Sequence, residues 1–245
     1  MELDDSGPMP LEHMIRMQEL VKLAKENSPY YSMHYENVPE TISHLNQLPM
    51  EDHTSFGSPT RVCHQRSGTG GTTAVPKTSF ITRQELREGG QNVVNCLTRA
   101  GLRPGDHVAN LLNGGDLYKG FLDLSLALIE ATVPILHLPI GVAPLNAQAW
   151  TIRTFSATVL VSMPTVVCRL VDYLIEYKEL PNTVRLILYI GKLLHNDQKK
   201  LLRQVFPSAH IGPLQYVSVD GGFIGAPDSL LINDDSDATI YVVNT

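Results

Sequence analysis

The sequence has little cysteine, no dense run of basic residues and no long apolar stretch, and each shortage excludes a class of protein. Three widely separated cysteines, Cys63, Cys96 and Cys168, fit neither a disulfide framework nor a CxxC metal pair, and they favour a reducing compartment. Scattered basic residues and a net charge of -6 offer no surface for nucleic acid or an anionic membrane. No apolar run reaches the roughly 20 residues of a membrane-spanning helix, and the acidic amino terminus lacks signal-peptide features. We therefore expect a soluble, cytoplasmic protein.

The composition is that of a globular protein, and its elements alternate between helix and strand. Hydrophobic residues make up 43% of the 245 residues and charged residues 18%, which is enough apolar material for a substantial core. Helical spacing of apolar residues predicts helices at 11–26, 82–100, 116–130, 144–154, 164–178 and 196–206. Short apolar runs predict strands at 78–81, 107–112, 132–138, 157–161, 184–189 and 213–217.

Most of these strands are continuously apolar, as strands are when helices cover both faces of a parallel sheet. We therefore predict an α/β fold with a doubly wound, mostly parallel sheet. A helical and irregular amino-terminal lead would occupy residues 1–66, with one short helix inside it. An α/β nucleotide-binding domain would occupy residues 67–245.

A glycine- and threonine-rich segment, 67–77, carries most of the functional information. It reads SGTGGTTAVPK. Adjacent glycines allow a backbone bend that directs several N–H groups at one anion, while Lys77 adds a compact positive charge. The segment is not a Walker A loop, because no Gly-Lys-Ser/Thr follows, and it lacks the third glycine of a dinucleotide-binding fingerprint. A flexible surface loop with a solvated lysine is the simpler alternative.

Several segments, in order, resemble the adenylate-forming superfamily of acyl-CoA synthetases, luciferases and peptide-synthetase adenylation domains. Residues 69–77 resemble its phosphate-binding signature, except that Ala74 stands where glycine or serine is usual. KLAKENSPYY at 22–31 resembles the opening of the phenylacetate–CoA ligase-like branch. LRPGDHVA at 102–109 is similar to its GxxPGDxV segment, and YVSVD at 216–220 to its Tyr-Gly-Ser/x-Thr-Glu motif.

This resemblance implies ATP-dependent activation of a carboxylic acid as an acyl-adenylate, followed by transfer to the thiol of CoA or of a carrier phosphopantetheine. It implies catalytic roles for Lys77, Thr72 and Thr73. It implies that nucleotide is bound by Thr69, Gly70, Gly71, Thr72, Thr73, Lys77, Gly191, Tyr216 and Ser218. Asp220 matches the acidic ligand of Mg²⁺, since a carboxylate supplies a hard oxygen.

Some of these residues have structural alternatives. Tyr216 also suits a core tyrosine at a strand end, and Asp220 a turn before two glycines. Tyr118 and Phe121 are candidates for the acyl pocket, although helical spacing more often marks core residues. His137 lies in an apolar run and is read as a hydrogen-bonded core histidine rather than a catalytic base.

The sequence also departs from the family pattern. Ala74 replaces a small flexible residue and Val219 replaces a hydroxyl residue, which predicts weakened nucleotide handling. The ribose-binding aspartate and the carboxy-terminal lid with its adenylating lysine have no counterpart, so a separate lid domain or a carrier protein is an expected partner. The alternative is a catalytically impaired relative that binds a nucleotide or a protein partner.

Overall fold

The computed structural model describes residues 10–49, 65–68, 78–114, 118–218, 222–227 and 241–243. The helices in chain order are α1 Leu11–Asn27, α2 Pro29–His34, α3 Arg83–Arg99, α4 Gly120–Glu130, α5 Leu145–Thr154, α6 Pro164–Glu176 and α7 Asn196–Val205. The strands are β1 Gln65–Gly68, β2 Thr78–Ile81, β3 His107–Asn110, β4 Leu136–Pro139, β5 Val159–Ser162, β6 Leu186–Tyr189, β7 His210–Pro213, β8 Tyr216–Ser218, β9 Gly222–Pro227 and β10 Tyr241–Val243. A 3₁₀ turn, Leu45–Gln47, follows α2.

Five parallel strands form the central sheet in the order β4-β3-β5-β6-β7. Every residue of β5 and β6 is buried, which explains why their sequences are continuously apolar. The predicted α/β fold with a parallel sheet is thereby confirmed.

Helices cover both faces of this sheet, so it is doubly wound. On one face, α5, α6 and α7 contribute apolar side chains to a core with alternate residues of the strands, such as Ala109, Leu160 and Ile187. On the other face, α3, α4 and β9 pack against the intervening residues, such as Val108 and Val161. The chain moves from β3 to β4 in one direction and then adds β5, β6 and β7 on the other side of β3.

Helix α3 begins and ends where its sequence predicts. The Thr82 hydroxyl accepts a hydrogen bond from Glu85 N at 3.2 Å, and the Glu85 carboxylate accepts one from Thr82 N at 2.8 Å. This reciprocal pair is the predicted capping box. At the other end, Gly101 has a φ of 100°, a left-handed conformation that favours glycine.

Two antiparallel sheets lie outside the central one. β1 pairs with β2, with Gly68 opposite Thr78, so residues 69–77 connect two paired strands. β8, β9 and β10 form a three-stranded antiparallel sheet. The predicted strand 213–217 is therefore wrong: β7 ends at Pro213, and Tyr216 begins a strand of a different sheet.

Two other predicted boundaries move for physical reasons. The strand predicted at 132–138 is observed at 136–139. Before it, Pro134 O accepts a hydrogen bond at 2.8 Å from Gly105 N, which lies in the turn before β3 and not in a strand. The helix predicted at 116–130 is observed from Gly120, and residues 115–117 lie outside the described part of the chain. The proposed division between residues 66 and 67 stays a prediction.

A partly buried ion pair links the amino ends of β3, β5 and β6. Asp106, which is 4% exposed, pairs with the Arg185 guanidinium. Its carboxylate also accepts hydrogen bonds from Thr158 Oγ1 and Arg103 N, each at 2.7 Å. Arg185 Nη2 donates to Gly101 O at 2.9 Å. We call Asp106, Thr158 and Arg185 the amino-edge clamp. The acidic residue of the GxxPGDxV-like segment therefore joins strands at one edge of the sheet.

Candidate functional site

The carboxyl edge of the central sheet is the candidate site because the winding direction reverses there. The connection from β3 runs to β4 on one side, whereas β5 lies on the other side of β3. In open α/β sheets, ligands bind outside the carboxyl ends of the strands at such a reversal. The loops that follow β3, β4, β5, β6 and β7 meet at this edge.

Asn110 organises the loops after β3 and β4. Its side chain is fully buried, donates to Phe121 O at 3.0 Å and to Ser125 Oγ at 3.1 Å, and accepts from Leu112 N at 3.1 Å. Its backbone carbonyl accepts from Gly141 N at 2.8 Å. A buried amide whose donors and acceptor are all used fixes local geometry. Asn110 therefore holds the start of α4 and the β4 loop in place.

Phe121 is positioned by glycine on two sides. A Cβ placed on Gly114 would lie 3.4 Å from the Phe121 side chain, and one placed on Gly141 would also lie 3.4 Å from its ring. Gly141 has a φ of 62°, and its missing Cβ would be 3.8 Å from Leu112 O. The loops after β3 and β4 are thus in contact through Phe121 and Gly141. We call this region, residues 112–114, Phe121 and 141–143, the β3–β4 corner.

Gly191 forms the turn directly after β6. Its φ of 90° is a left-handed conformation, and a Cβ there would lie 3.5 Å from Met163 Cε. Ile190 N donates to Ser162 O at 3.1 Å, which ties this turn to the end of β5. A side chain at position 191 would be strained, so the turn depends on glycine and keeps its backbone accessible.

Tyr216 follows the carboxyl end of β7 and opens β8. Leu214 N donates to Tyr189 O at 2.8 Å, so the segment leading to Tyr216 stays attached to β6 beyond the last residue of β7. The side chain of Tyr216 is 55% exposed, and the next residue, Val217, is 43% exposed. The structure thus places a half-exposed tyrosine at the start of β8, shortly after the strand that pairs with β6. A fully buried core tyrosine, the structural alternative, is not what is observed.

The structure does not describe the side chains of the remaining predicted site residues. Thr69, Gly70, Gly71, Thr72, Thr73, Lys77 and Asp220 lie outside the described residues. Ser218 is the last residue of β8, and only its backbone is described. Their proposed roles therefore stay predictions.

Two titratable side chains near the site have pKa values shifted by burial. Burial lowers the pKa of His137, and its Nε2 atom has no hydrogen-bond partner among the described residues, so the expected hydrogen bond is not found. Burial raises the pKa of Asp123, and the partly opposing cause is Lys119, whose Nζ lies 2.9 Å from Asp123 Oδ2. Neither side chain is arranged as a general base.

Sequence reasoning missed three buried amide side chains at the carboxyl edge. The side-chain oxygens of Asn113, Gln148 and Gln215 are buried and have no hydrogen-bond partner among the described residues. A buried acceptor without a partner costs about 1–3 kcal/mol. A polar residue inside a largely apolar run is a weak sequence signal for Asn113, while the burial of Gln148 depends on tertiary contacts.

The described residues lack both a metal-binding cluster and a membrane-spanning helix. They hold no group of three or more His, Cys, Asp or Glu side chains placed to bind a metal ion. None of the helices in the described ranges combines the length and apolar character needed to cross a bilayer.

No family model matches the sequence, and no curated protein matches it. Solved structures do. 2-Hydroxyisobutyryl-CoA ligase, in its postadenylation state with 2-HIB-AMP, matches with a TM-score of 0.73 at 19% identity, covering 94% of this chain and 55% of the ligase. The same ligase with 2-HIB-AMP and CoA in the thioesterification state gives 0.69 at 20% identity, covering 84% and 49%. VinN gives 0.53 at 19% identity, covering 70% and 41%. The chain has the fold of these structures.

At this level of identity the similarity concerns the fold. The chain spans about half the length of the solved structures that it matches. The two structures of 2-hydroxyisobutyryl-CoA ligase carry 2-HIB-AMP, and the one in the thioesterification state also carries CoA.

Proposed function

We propose that the chain handles ATP in the activation of a carboxylic acid to an acyl-adenylate, which then passes its acyl group to the thiol of CoA or of a carrier pantetheine. The observation that carries this proposal is the position of the Gly191 turn and of Tyr216 in the fold. The two lie after neighbouring strands, β6 and β7, at the carboxyl edge of a doubly wound sheet. An exposed aromatic ring and a backbone turn without a side chain, placed after neighbouring strands at this edge, suit a flat purine base.

The nucleotide would lie across this edge. In the proposal the ring of Tyr216 packs against adenine, and Gly191 borders the base because no side chain is present to block it. The phosphates are bound by the connection between β1 and β2, through Thr69, Gly70, Gly71, Thr72, Thr73 and Lys77. The antiparallel pairing of β1 with β2 supports this role, because it holds both ends of a nine-residue connection close together.

The chemistry needs positioning and charge neutralisation more than acid–base groups. A carboxylate oxygen of the acid attacks the α-phosphorus, the bond to the bridging oxygen breaks, and pyrophosphate leaves. Lys77, Thr72 and Thr73 neutralise and orient the phosphate oxygens, and Ser218 donates to the α-phosphate. A thiolate then attacks the acyl carbon and AMP leaves.

Asp220 is the residue proposed to hold Mg²⁺. Its carboxylate follows β8 by two residues, and a hard oxygen ligand suits this ion. When bound, Mg²⁺ supplies positive charge to the phosphate oxygens. The part of the chain that the structure describes offers no competing cluster of metal ligands.

A small carboxylic acid is the proposed substrate, and a separate lid domain or a carrier protein is the proposed partner. The lid would exclude water while the adenylate forms. The ligase and VinN structures extend well beyond the part that this chain matches, which supports a role for further protein. In solution these components would meet in the cytoplasm.

The test is exchange of labelled pyrophosphate into ATP, measured with a panel of carboxylic acids and with added lid domain. We expect carboxylate-dependent exchange that falls at least about 100-fold in Lys77→Ala, because a phosphate-bound charge is lost. Lys200→Ala, at an exposed position of α7, is the matched control and should keep the wild-type rate.

Tyr216→Ala should weaken AMP binding, measured by calorimetry, without unfolding the chain. Binding of AMP with no exchange for any acid would support the alternative of a nucleotide-binding relative that does not catalyse. If the chain shows no AMP binding and no pyrophosphate exchange, the proposal is wrong.

A further inference from the structure

The outer side of α5 and α6 carries exposed aromatic side chains that the proposed nucleotide site does not use. Trp150 is 53% exposed, Phe155 42% and Tyr177 56%. The rings of Trp150 and Phe155 form an edge-to-face pair with centroids 6.1 Å apart, and those of Tyr173 and Tyr177 stack at 4.4 Å. Exposed groups of large aromatic side chains are typical of surfaces that bind other proteins.

Both helices end in the same way and at the same end of the molecule. Phe155 is the C-cap of α5 and Tyr177 the C-cap of α6, and each precedes a residue with a left-handed backbone, Ser156 with a φ of 49° and Lys178 with a φ of 54°. Because α5 and α6 each connect two parallel strands of the sheet, both end at its amino edge. Phe155 O accordingly accepts a hydrogen bond from the ring of His107, the first residue of β3. The exposed rings therefore lie away from the candidate site, which is at the carboxyl edge.

An ion pair joins the two groups of rings. Arg153 Nη1 lies 3.2 Å from Glu179 Oε2 and so connects the last turn of α5 with the turn after α6. Arg153 is three residues after Trp150, so the two side chains share one side of α5. The charges of Glu179 and Arg153 both act on the Tyr173 hydroxyl, which places this ring beside the ion pair. We call the four rings, Arg153 and Glu179 the α5–α6 surface.

The charges on and around this surface are balanced, although the chain as a whole has a net charge of -6. The segments 145–156 and 164–179, which hold α5, α6 and the turns that end them, contain three basic residues, Arg153, Arg169 and Lys178, and three acidic residues, Asp172, Glu176 and Glu179. A nucleic acid or an anionic membrane would require an excess of basic residues. A strongly charged protein partner would require an excess of the opposite sign.

A second copy of the chain matches this balance. In a two-fold symmetric interface the same surface meets itself, so a surface with a single sign of charge would repel its copy. A surface with equal numbers of both signs places each charge opposite a set that includes its complement. Other parts of two chains with a net charge of -6 repel each other, which leaves the neutral aromatic surface as the favoured contact.

We infer that the α5–α6 surface is the interface between two copies of the chain, related by two-fold symmetry. Trp150 and Tyr177 pack in its centre, and the charged residues lie around them. Because this surface lies away from the carboxyl edge of the sheet, both candidate sites stay accessible in the dimer. The inference is therefore independent of the proposed function.

The mass of the protein in solution tests the dimer. In analytical ultracentrifugation the average mass should rise from that of one chain toward twice that value between about 1 and 200 µM, as expected for an interface of standard size or smaller. Trp150 is the only tryptophan in the sequence. Its fluorescence emission should therefore shift to shorter wavelength over the same range of concentration, because the ring leaves water.

Variants at Tyr177 locate the interface. Tyr177→Glu should keep the mass at one chain at every concentration and abolish the emission shift, because two like charges would face each other across the axis. Tyr177→Ser removes the ring without adding a charge and should raise the Kd of the dimer at least about tenfold. Ile129→Glu is the matched control, since it adds the same charge at a 71% exposed position of α4 on the other face of the sheet, and it should dimerise like wild type.

Four results would overturn the inference. The first is a single-chain mass for the wild type up to about 200 µM. The second is a rise in mass without a change in the emission of Trp150, and the third is a dimer that persists in Tyr177→Glu, since both would place the contact elsewhere. The fourth is equal loss of the dimer in Ile129→Glu, which would assign the effect to net charge and not to this surface.

Discussion

At the scale of single residues, the amino-edge clamp and the residues of the candidate site lie at opposite ends of the strands of the central sheet. The amino-edge clamp is built on Asp106, whose two carboxylate oxygens bond the guanidinium of Arg185, the hydroxyl of Thr158 and a backbone N–H. The β3–β4 corner lies at the other end of β3, and the side-chain oxygen of Asn113 within it has no hydrogen-bond partner among the described residues. Both carboxylate oxygens of Asp106 are hydrogen-bonded, as expected for a buried charge that stabilises the fold.

Asp106→Ala should therefore lower the free energy of unfolding by about 3 kcal/mol, because it leaves a partly buried guanidinium without its partner. Chemical denaturation measures this change. Asp172→Ala, at an exposed position of α6, is the control and should stay within about 0.5 kcal/mol of wild type. Unchanged AMP affinity at low temperature would agree with a role confined to stability. A variant as stable as wild type would contradict the clamp.

At the scale of elements, agreement between sequence and structure depends on local signals. Helix α3 could be predicted at both ends, because its capping box and its glycine stop act within a few residues. β5 and β6 could be predicted since burial on both faces requires uninterrupted apolar residues. The strand predicted at 213–217 was wrong because this run spans the end of β7 and the start of β8. Hydrogen bonds to residues distant in the sequence decide where one strand ends and the next begins.

The candidate site divides in the same way. Gly191 forms a turn directly after β6, where the family resemblance implies a glycine beside the nucleotide, and its role in binding stays a prediction. The burial of Gln148 could not be predicted, because it depends on Ala143 and on the contact between the β3 and β4 loops. The hydrogen bond of Gln148 to Ala143 O becomes visible only once the loops are placed in space.

The edge strand β4 makes stability depend on pH through His137. Burial lowers the pKa of this imidazole in the folded state below its ordinary value of about 6.5. As the pH falls below that value, the unfolded chain takes up the proton first, so the free energy of unfolding falls. The raised pKa of Asp123 acts in the opposite direction at lower pH, because the folded state then takes up the proton first.

His137→Leu should therefore lose less stability than wild type between about pH 6.5 and pH 5, since the neutral side chain has no proton to gain. Urea denaturation at a series of pH values gives the difference between the two proteins, in which the contribution of Asp123 cancels. His13→Gln, on α1, serves as control and should follow wild type. Parallel curves for His137→Leu and wild type would show that His137 titrates alike in both states.

At the scale of the whole molecule, burial is concentrated in the central sheet. β5 and β6 lie in the middle of that sheet between two layers of helices. Helix α1 has a single buried residue, Val21, and its main contacts among the described elements are with α2. Among the described residues, α1 is therefore less well packed than the strands of the central sheet.

Native-state hydrogen exchange should reveal this difference. Amides of β5 and β6 should exchange only by global unfolding, whereas amides of α1 should open at a free energy lower by about 2 kcal/mol or more. Mass spectrometry of peptic fragments measures both regions in one experiment. Equal protection of α1 and β5 would mean that α1 is held by the sheet after all.

The amino-edge clamp also has a consequence for the timing of folding during synthesis. Asp106 and Arg185 are 79 residues apart, so translation at about 5–20 residues per second leaves the carboxylate without its partner for roughly 4 to 16 s. During that interval the nascent chain can form helices, but Asp106 at the amino end of β3 has no arginine with which to form its ion pair. A ribosome that stalls between these two codons would display an open, half-wound sheet to chaperones.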